Sequence, residues 1–501
     1  MKAYDVAICG GGLAGLCLAR QLRREQPQLS IVVIEKSRRP LPQAAFKVGE
    51  SSVEVGAYYL AQTLGLQDYL DKVHLPKLGL RFFFGDAAGP LEDRPEFGEA
   101  RFPQVSSYLP SYQLDRGVLE QDLRVMNEQA GIELIEGSAV AGIELGRPHV
   151  VRHAGGEMSA RWVVDALGRR RLLQTQLGLK KASGHRASAA WFRFKGRLDL
   201  GDLVPASCRP WHERVPGRAR YFSTNHLMGP GYWVWFIPLG SGHTSVGIVA
   251  DERLHPFKGY SNFALAGDWL RKHEPRAARR IEGLEPLDFK GFKEFSYSST
   301  QAFSSDQWAC VGEAAAFSDP FYSPGSDYIA MGNTITAELI KTGGTHAEHY
   351  NRLYLTSFEI TLEIYRDCYP IFGHAQATTA KLIWDWALYW GITAPIFLHG
   401  LLTRPDLGPR VLALLDKTLE LQRRMQGLFR KWGSRPAVTD VYGFLVPLDI
   451  RLLRDLRLEL RYPCEPERAL TDLEARWSEL EALAQAASAM DFSAYLRQCG
   501  R

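Results

Sequence analysis

Three glycines near the start of the chain have the spacing of a dinucleotide-binding turn. Gly10, Gly12 and Gly15 form G-x-G-x-x-G, after an apolar run at residues 4–9 and before residues with helical spacing. Glycines at these positions permit a tight turn, let a pyrophosphate approach the backbone and let a helix pack closely on a strand. A second apolar run ends in Glu35, whose carboxylate suits a ribose hydroxyl. The pattern predicts a dinucleotide site; the alternative is a glycine turn that serves packing alone.

Three later stretches place polar residues next to predicted strands and helices. Arg116 begins a predicted helix, Asp165 follows a strand, and the pair Gly312–Glu313 follows another strand. Together these stretches resemble those of the flavoprotein hydroxylase and halogenase superfamily. The resemblance implies FAD as the cofactor, with Arg116 and Asp165 near it and Gly312–Glu313 in place of the usual Gly-Asp pair. The alternative for Asp165 and Glu313 is that each caps the helix that follows.

The stretch GYWVWFIPLG at residues 231–240 has the alternation of a strand. Trp233 and Trp235 fall on one face, and Pro238 is expected to end the strand or to place it at an edge. Packing alone would explain two large indoles on one face. Two further motifs of the chain suggest that the indoles also have a function.

Residues 233–238 read W-x-W-x-I-P, the signature of the flavin-dependent halogenases, and two further stretches resemble that family. KVGESS at residues 47–52 is similar to the segment that contacts the isoalloxazine, and FSDPFYSPG at residues 317–325 fits the F-x-x-P-x-x-S-x-G pattern of the phenol and pyrrole branch. The three motifs occur in the order found in the family. The residues that this resemblance adds to the flavin site are Lys47, Val48, Gly49, Glu50, Pro320 and Gly325.

The chemistry of that family assigns roles to the tryptophans and to a lysine. Reduced flavin and O2 convert halide to hypohalous acid, which must travel in a closed tunnel while bulky indoles keep the substrate from the flavin. The resemblance therefore implies catalytic roles for Trp233 and Trp235. It places Lys77, in a K-x-G-x-x-F context, at the far end of the tunnel, where a desolvated amine would hydrogen-bond hypohalous acid or form a haloamine. The alternatives are an exposed, inert Lys77 and a catalytic Lys47.

Two positions depart from the family pattern. Tyr322 stands where tryptophan halogenases have a glutamate that helps the lysine, which predicts a phenol-type substrate rather than free tryptophan. Pro324 stands where the family has a backbone N–H for the halide, and proline has none. Ser323, Gly325 and Ser326 would then hold the halide. A larger, less strongly hydrated ion such as bromide is expected to tolerate this change better than chloride.

These elements predict an α/β fold: a Rossmann-like FAD-binding module of the GR2 type, an inserted β-sheet that roofs the substrate, and an α-helical C-terminal region. Residues 1–180 and 285–345 are expected to form the FAD-binding module, and residues 181–284 the sheet. Residues 346–501 are expected to be helical and to cover the substrate pocket, because stretches such as 409–432 have clear helical periodicity.

The composition narrows the classes of protein. The 60 basic and 56 acidic residues give a net charge of +4, which argues against a nucleic-acid-binding protein. Seven cysteines without C-x-x-C spacing favour a reduced, cytoplasmic protein without a structural metal. The first residues of the chain lack the pattern of a secretory signal.

One apolar, tryptophan-rich stretch, residues 382–402, raises the question of membrane contact. Asp385 would be costly in hydrocarbon, so the sequence favours a buried helix or the wall of a substrate pocket over peripheral membrane contact. Four aromatic residues of this stretch have helical spacing and are expected to pack in the core rather than to line a pocket. They are Trp384, Trp386, Tyr389 and Trp390.

The sequence thus predicts an FADH2- and O2-dependent enzyme that chlorinates or brominates a small, electron-rich aromatic: a phenol, resorcinol, pyrrole or aryl-acyl group. A partner flavin reductase would supply FADH2, or reduced nicotinamide would bind transiently, because no second glycine motif is followed by a helical pattern. The substrate would be free or tethered to an acidic carrier protein. The alternatives are an aromatic hydroxylase or other FAD oxidoreductase without a halide site, and a non-catalytic flavin- or lipid-binding protein.

Overall fold

The computed structural model describes residues 1–42, 47–102, 109–436, 442–460 and 464–501. Within these residues the strands are, in chain order, β1 Lys2–Cys9, β2 Ile31–Glu35, β3 Leu75–Pro76, β4 Leu80–Phe83, β5 Glu96–Phe97, β6 Tyr112–Gln113, β7 Glu133–Glu136, β8 Val140–Glu144, β9 His149–His153, β10 Gly156–Asp165, β11 Lys180–Lys181, β12 Ala187–Lys195, β13 Thr224–Gly229, β14 Tyr232–Pro238, β15 His243–Asp251, β16 Asp288–Phe292, β17 Ser298–Ser299, β18 Trp308–Cys310 and β19 Phe444–Leu445. The α-helices of the same residues are α1 Leu13–Glu25, α2 Glu54–Tyr58, α3 Gln67–Val73, α4 Arg116–Gln129, α5 Leu172–Gln176, α6 Arg209–Glu213, α7 Phe263–His273, α8 Pro275–Ile281, α9 Gly325–Thr342, α10 Ala347–Glu363, α11 Ala375–Leu388, α12 Ala394–Leu398, α13 Gly408–Gly433, α14 Arg451–Glu459, α15 Pro466–Ala487 and α16 Phe492–Gln498.

A seven-stranded sheet forms the nucleotide-binding part of the fold. Its order is β7-β2-β1-β10-β9-β8, and β18 also pairs with β10. β1 runs parallel to β2 and β10, whereas β8 and β9 form an antiparallel extension. β1 and β2 are mainly buried apolar residues, as expected of parallel strands covered on both faces. The parallel β1–α1–β2 unit is the Rossmann-like arrangement that the glycine motif predicts.

A second sheet of eight strands has the order β16-β12-β15-β14-β13-β4-β5-β19. Strands β12 to β15 come from the stretch 181–284 that the sequence assigned to an inserted sheet. The outer strands come from other parts of the chain: β16, β4, β5 and β19. The mixed α/β fold with a Rossmann-like part is confirmed, while the boundaries between the three expected units stay a prediction.

Strand β14 accounts for the alternation in the tryptophan stretch. Every residue of this strand is buried, so both faces of the sheet are covered at this point. The residues facing the main core are Trp233, Trp235 and Ile237. Those facing a separate core on the opposite side are Tyr232, Val234 and Phe236. The strand ends at Pro238, as expected of a residue that lacks a backbone N–H.

The chain beyond residue 346 is mainly helical, from α10 to α16. Of the 14 residues of α11, 13 are buried, which places the tryptophan-rich stretch 382–402 inside the protein as the sequence favoured. A π-helical turn at Tyr389–Thr393 joins α11 to α12. Among the described residues, none of the helices combines the length and the apolar character needed to cross a bilayer.

Candidate active site

A large cavity of about 740 Å³ lies at the carboxyl ends of β1 and β2. Ligands of open α/β sheets bind at this edge, where the strands end and the helices begin. Most residues that the sequence assigned to the flavin or the halide line it: Gly10, Gly12, Glu35, Lys47, Val48, Gly49, Glu50, Arg116, Gly312, Glu313, Pro320, Ser323, Gly325 and Ser326. Trp233 and Trp235 line the same space, which we call the flavin cavity.

The three glycines of the turn have different surroundings. A Cβ atom at Gly10 would lie 2.3 Å from the Ala166 carbonyl oxygen, and one at Gly15 would lie 2.0 Å from the Gly10 carbonyl oxygen. Gly15 is absent from the cavity wall and permits α1 to pack against the turn. A Cβ atom at Gly12 would meet nothing within 4 Å, so this side of the turn is open to the cavity. A pyrophosphate can therefore approach Gly12 and the N-terminus of α1.

Glu35 is held at the end of β2 by three hydrogen bonds. Its Oε2 accepts from the Gly11 N–H at 2.8 Å, and its Oε1 accepts from the N–H and hydroxyl of Ser37, each at 2.8 Å. Burial raises the pKa of Glu35, but the hydrogen bonds outweigh burial and lower that pKa below its ordinary value. The carboxylate is therefore charged at neutral pH and suited to accept from a ribose hydroxyl.

Arg116 and Lys47 share one carboxylate on the wall of the flavin cavity. Arg116 Nη1 donates to the Val48 carbonyl oxygen at 2.7 Å, and Nη2 donates to Glu120 Oε1 at 2.6 Å. Lys47 forms an ion pair with the same Glu120. Burial, with the charge of Arg116, lowers the pKa of Lys47 to about 7. Lys47 lines the flavin cavity, and the contact of its segment with the isoalloxazine stays a prediction.

A second cavity of about 90 Å³ contains Lys77 and Tyr322 in its wall; we call it the lysine cavity. Its aromatic lining residues include Tyr328, Trp386, Tyr389 and Trp390. Its other ionisable lining residues are Glu54, Glu99, Asp327, Asp385 and Arg457. The cavity thus combines aromatic surfaces with several buried polar groups.

Lys77 is buried rather than exposed, with 1% of its surface accessible. Its Nζ donates a hydrogen bond of 2.6 Å to the Ser52 carbonyl oxygen. Burial lowers the pKa of Lys77 to about 7; the charges of Glu54 and Asp327 oppose this decrease and that of Arg457 adds to it. A substantial fraction of the amine is therefore neutral at physiological pH.

Five aromatic side chains in mutual contact connect the lining of the flavin cavity with that of the lysine cavity. This cluster, which we call the aromatic wall, consists of Phe82, His226, Trp233, Phe321 and Tyr322. The Phe321 ring lies 5.2 Å from Trp233 and 4.4 Å from Tyr322, between centroids. His226 stacks on Phe82 at 4.6 Å, and burial lowers the pKa of His226 to about 3, so its ring is neutral. Trp233 and His226 line the flavin cavity, whereas Tyr322 lines the lysine cavity.

The backbone next to the wall leads into the N-terminus of α9. Tyr322 and Ser323 have φ values of 68° and 62°, and Pro324 is the residue before the first turn of α9. The N–H groups of Gly325 and Ser326 belong to that first turn and have no carbonyl acceptor within the helix. Among the described residues, the Ser326 hydroxyl has no hydrogen-bond partner. These donors and the positive end of the helix dipole suit a small anion.

Comparison with known proteins found a matching domain family and similar sequences. Residues 8–73 match the family of NAD(P)-binding Rossmann-like domains. The flavin-dependent halogenase chlA of Dictyostelium discoideum is 27% identical over an alignment of 443 positions, which covers 79% of this chain and 71% of the relative. A 1H-pyrrole-2-carbonyl-(peptidyl-carrier protein) brominase of Pseudoalteromonas luteoviolacea is 26% identical over 421 residues, 83% of this chain and 92% of the relative.

The chain is similar in sequence to a flavin-dependent halogenase over most of its length. Its fold agrees with that similarity. The crystal structure of the halogenase PltM in complex with phloroglucinol and FAD matches it with a TM-score of 0.63 at 17% identity, over 96% of each chain.

Asp165, the last residue of β10, accepts hydrogen bonds from two backbone N–H groups. It is fully buried and is not part of the flavin cavity wall. Its Oδ1 accepts from the Leu167 N–H at 3.0 Å, and its Oδ2 accepts from the Leu173 N–H at 2.9 Å. These hydrogen bonds match the capping alternative, and Leu167 and Gly168 line the cavity beside it. A contact between Asp165 and the cofactor stays a prediction.

The aromatic residues of the tryptophan-rich stretch combine both expected positions. Trp384, Trp386 and Trp390 belong to the main core and Tyr389 packs against it, and Trp384 Nε1 donates to Gln422 Oε1 at 2.8 Å. Trp386, Tyr389 and Trp390 also line the lysine cavity. A helix buried on all sides can present one side to a cavity, and periodicity does not reveal which side does so.

Several polar groups around Lys77 were missed by the sequence analysis. Asp327 Oδ1 accepts from the Gly56 N–H at 2.8 Å, its Oδ2 accepts from the Tyr389 hydroxyl at 2.7 Å, and burial raises the pKa of Asp327 to about 7. The one usable signal was that Asp327 directly follows the predicted halide residues. Arg457 contacts Glu54 across 3.3 Å from α14, and no local pattern links these two distant residues.

Proposed function

We propose that the chain is an FADH2- and O2-dependent halogenase, which forms hypohalous acid in the flavin cavity and uses Lys77 to chlorinate or brominate an electron-rich aromatic. One observation carries this proposal: Lys77 is buried and lines a cavity other than the flavin cavity, and the aromatic wall contributes side chains to both linings. A hydroxylase needs its substrate at the flavin, and such a wall would oppose that contact.

The residues of the flavin cavity fit FAD. The open side of Gly12, the charged Glu35 and the unpartnered donors at the start of α9 correspond to a pyrophosphate, a ribose and a halide near the ring. Bound as FADH2, the cofactor would supply two electrons and two protons, with which O2, halide and one further proton become hypohalous acid and water. The chain itself would hold the halide with the N–H groups of Gly325 and Ser326 and with the hydroxyls of Ser323 and Ser326.

The aromatic wall would separate the two reactants by size. Trp233 and Phe321 of this wall are buried, and while they keep their positions they would oppose the passage of a substrate ring. Hypohalous acid is a triatomic molecule and needs far less space than a phenol. The oxidant would therefore cross, and the aromatic substrate would stay in the lysine cavity.

Lys77 would transfer the halogen. Its neutral amine attacks the halogen of hypohalous acid, the halogen–oxygen bond breaks and water leaves, which gives a haloamine. A carbon of the aromatic ring then takes the halogen, the ring loses a proton and the amine is regained. The pKa of about 7 favours this role because the neutral amine is available at physiological pH.

The lysine cavity supports a phenol-type substrate. Trp386, Tyr389 and Trp390 offer aromatic faces, and the carboxyl groups of Glu54 and Asp327 can accept from substrate hydroxyls. The phloroglucinol complex of PltM supports a free phenol, and the name of the brominase relative supports an acyl group on a carrier protein as a second form. A flavin reductase would be the partner that supplies FADH2, and the reaction would take place in the cytoplasm.

The test is a reaction of the purified protein with FAD, a flavin reductase, NADH, O2, bromide and resorcinol. We expect a brominated product by mass spectrometry in the wild type and none in Lys77→Ala, which should still bind FAD. Lys341→Ala, at an exposed lysine of α9, is the matched control and should brominate normally. A hydroxylated product that is independent of halide would identify a hydroxylase. No aromatic-dependent FADH2 oxidation would identify a non-catalytic protein.

A further inference from the structure

A buried hydrogen-bond network fixes the indole of Trp233 to the helical region. Trp233 Nε1 donates to the Tyr369 hydroxyl at 2.9 Å, and that hydroxyl donates to Asp319 Oδ2 at 2.7 Å. His185 Nε2 lies 2.6 Å from the same Asp319 oxygen, and Asp319 Oδ1 accepts from the Phe321 N–H at 2.8 Å. One carboxylate thus connects two members of the aromatic wall, Trp233 through Tyr369 and Phe321 directly.

Each group in this network has its partner, which gives the network a single favoured arrangement. All five residues are buried, so a lost hydrogen bond could not easily be replaced by one to solvent. Tyr369 is itself fixed, because its carbonyl oxygen accepts from the Gly231 N–H, directly before β14, at 3.0 Å. Its ring also lies 4.6 Å from Phe372, which stacks on Phe321 at 4.9 Å.

We propose that Tyr369 is a positioning residue that holds Trp233 in the aromatic wall through its hydroxyl, and that it thereby determines how much of the oxidant reaches the lysine cavity. The effect of Tyr369 on the reaction rests on the proposed function. The fixation of the Trp233 indole by Tyr369 does not depend on it. Tyr369→Phe keeps the ring and removes only the hydroxyl. The Trp233 indole N–H and one acceptor position of Asp319 then lose their partner, and the indole gains freedom to leave the wall.

The first measurement needs neither flavin nor turnover. In the full-length protein labelled with ¹⁵N at the tryptophan indoles, the Trp233 Nε1–H signal is assigned by its absence in Trp233→Phe. We expect this signal to shift in Tyr369→Phe and its hydrogen exchange to accelerate at least tenfold. Tyr260→Phe is the matched control, because it removes a buried tyrosine hydroxyl that donates to the Ser188 carbonyl oxygen at 3.3 Å, away from the wall. An unchanged Trp233 signal in Tyr369→Phe would overturn the proposal.

The second measurement is the fate of the oxidant. Three products are measured for each FADH2 oxidised: the brominated aromatic, the hypobromous acid captured by an added trap, and the hydroxylated aromatic. We expect Tyr369→Phe to lower the brominated fraction several-fold and to raise the other two, with FAD affinity unchanged and Tyr260→Phe like the wild type. A wild type that never brominates refutes the proposed function alone. A wild type that brominates, with equal product fractions in Tyr369→Phe, refutes the role of Tyr369.

Discussion

Lys77 and Ser52 are joined by a hydrogen bond of 2.6 Å between Nζ and the backbone carbonyl oxygen. Glu50 and Ser51 line the flavin cavity, and Val53 and Glu54 line the lysine cavity. The segment that contains Ser52 therefore passes from one cavity to the other. A displacement of this segment by a bound flavin would act directly on the position of the amine.

Replacement of Lys77 should separate stability from activity. Burial lowers the pKa of Lys77 from 10.5 to about 7, which corresponds to about 5 kcal/mol of unfavourable free energy for the charged form. Between pH 7 and 10.5, Lys77 binds a proton in the unfolded chain but not in the folded protein, so the stability of the wild type rises with pH through this window. Below pH 7, Lys77 is charged in both states, and the folded protein carries the full cost of burying the charge. Lys77→Met should therefore have a higher free energy of unfolding in urea at pH 6, with a smaller difference at pH 9, and should form no halogenated product. A Lys77→Met protein less stable than the wild type at pH 6 would contradict this assignment.

The rate of halogen transfer should rise with pH. The neutral amine of Lys77 becomes the main form above its pKa of about 7, so single-turnover bromination should increase to a plateau with a midpoint near pH 7. Asp327→Asn removes a negative charge that stabilises the ammonium form, and the midpoint should move to lower pH. A rate that falls with pH would indicate instead that the ammonium form acts as a hydrogen-bond donor to hypohalous acid.

Two glycines of the turn should respond in opposite ways to alanine. At Gly12 the added methyl group points into open space, so Gly12→Ala should leave the melting temperature of the apoprotein unchanged and weaken FAD binding. At Gly15 it would lie 2.0 Å from the Gly10 carbonyl oxygen, so Gly15→Ala should lower the melting temperature by several degrees. Calorimetry and a flavin titration of both variants test this pair, and equal effects would argue against the proposed position of the pyrophosphate.

The missing N–H of Pro324 should appear as a halide preference. With fewer backbone donors at the site, the strongly hydrated chloride ion loses more binding free energy than bromide does. A reaction with equal concentrations of the two halides should therefore give mainly the brominated product. Pro324 has helical backbone angles, with φ at −74° and ψ at −7°, so alanine fits without strain. Pro324→Ala restores the donor and should increase the share of chlorinated product. A clear chloride preference in the wild type would disprove this account.

A second buried lysine should behave unlike Lys77. Lys381 is fully buried and forms an ion pair with Asp385, which also accepts from the Tyr322 hydroxyl at 2.9 Å. Lys381→Met leaves Asp385 as a buried charge without its cation and should cost about 3–5 kcal/mol in the free energy of unfolding. Lys341→Met, at an exposed lysine paired with Glu338, should change it by less than about 0.5 kcal/mol. Similar values for the two variants would show that the buried pair is not needed for stability.

Local patterns predicted the parts of the site that lie close together in the sequence. The glycines at 10, 12 and 15 follow a strand and precede a helix, and this order alone requires the turn that the structure contains. The capping role of Asp165 was open from sequence, since a carboxylate after a strand can either face a ligand or cap a helix. The hydrogen bonds that Asp165 accepts from Leu167 and Leu173 match the capping role, and only the tertiary structure shows them.

The sequence by itself determined the Rossmann-like part, the strand with two tryptophans and the lysine worth testing, because each depends on side chains within a few residues of one another. The tertiary structure decided that Lys77 is buried and that aromatic side chains from distant segments form one wall that contributes to the linings of both cavities. It also decided which distant groups hold that wall: Tyr369 reaches Trp233 across 136 positions, and His185 reaches Asp319 across 134. Burial and hydrogen bonds across such separations depend on how helices and sheets pack, and no repeat or spacing in the chain encodes them locally.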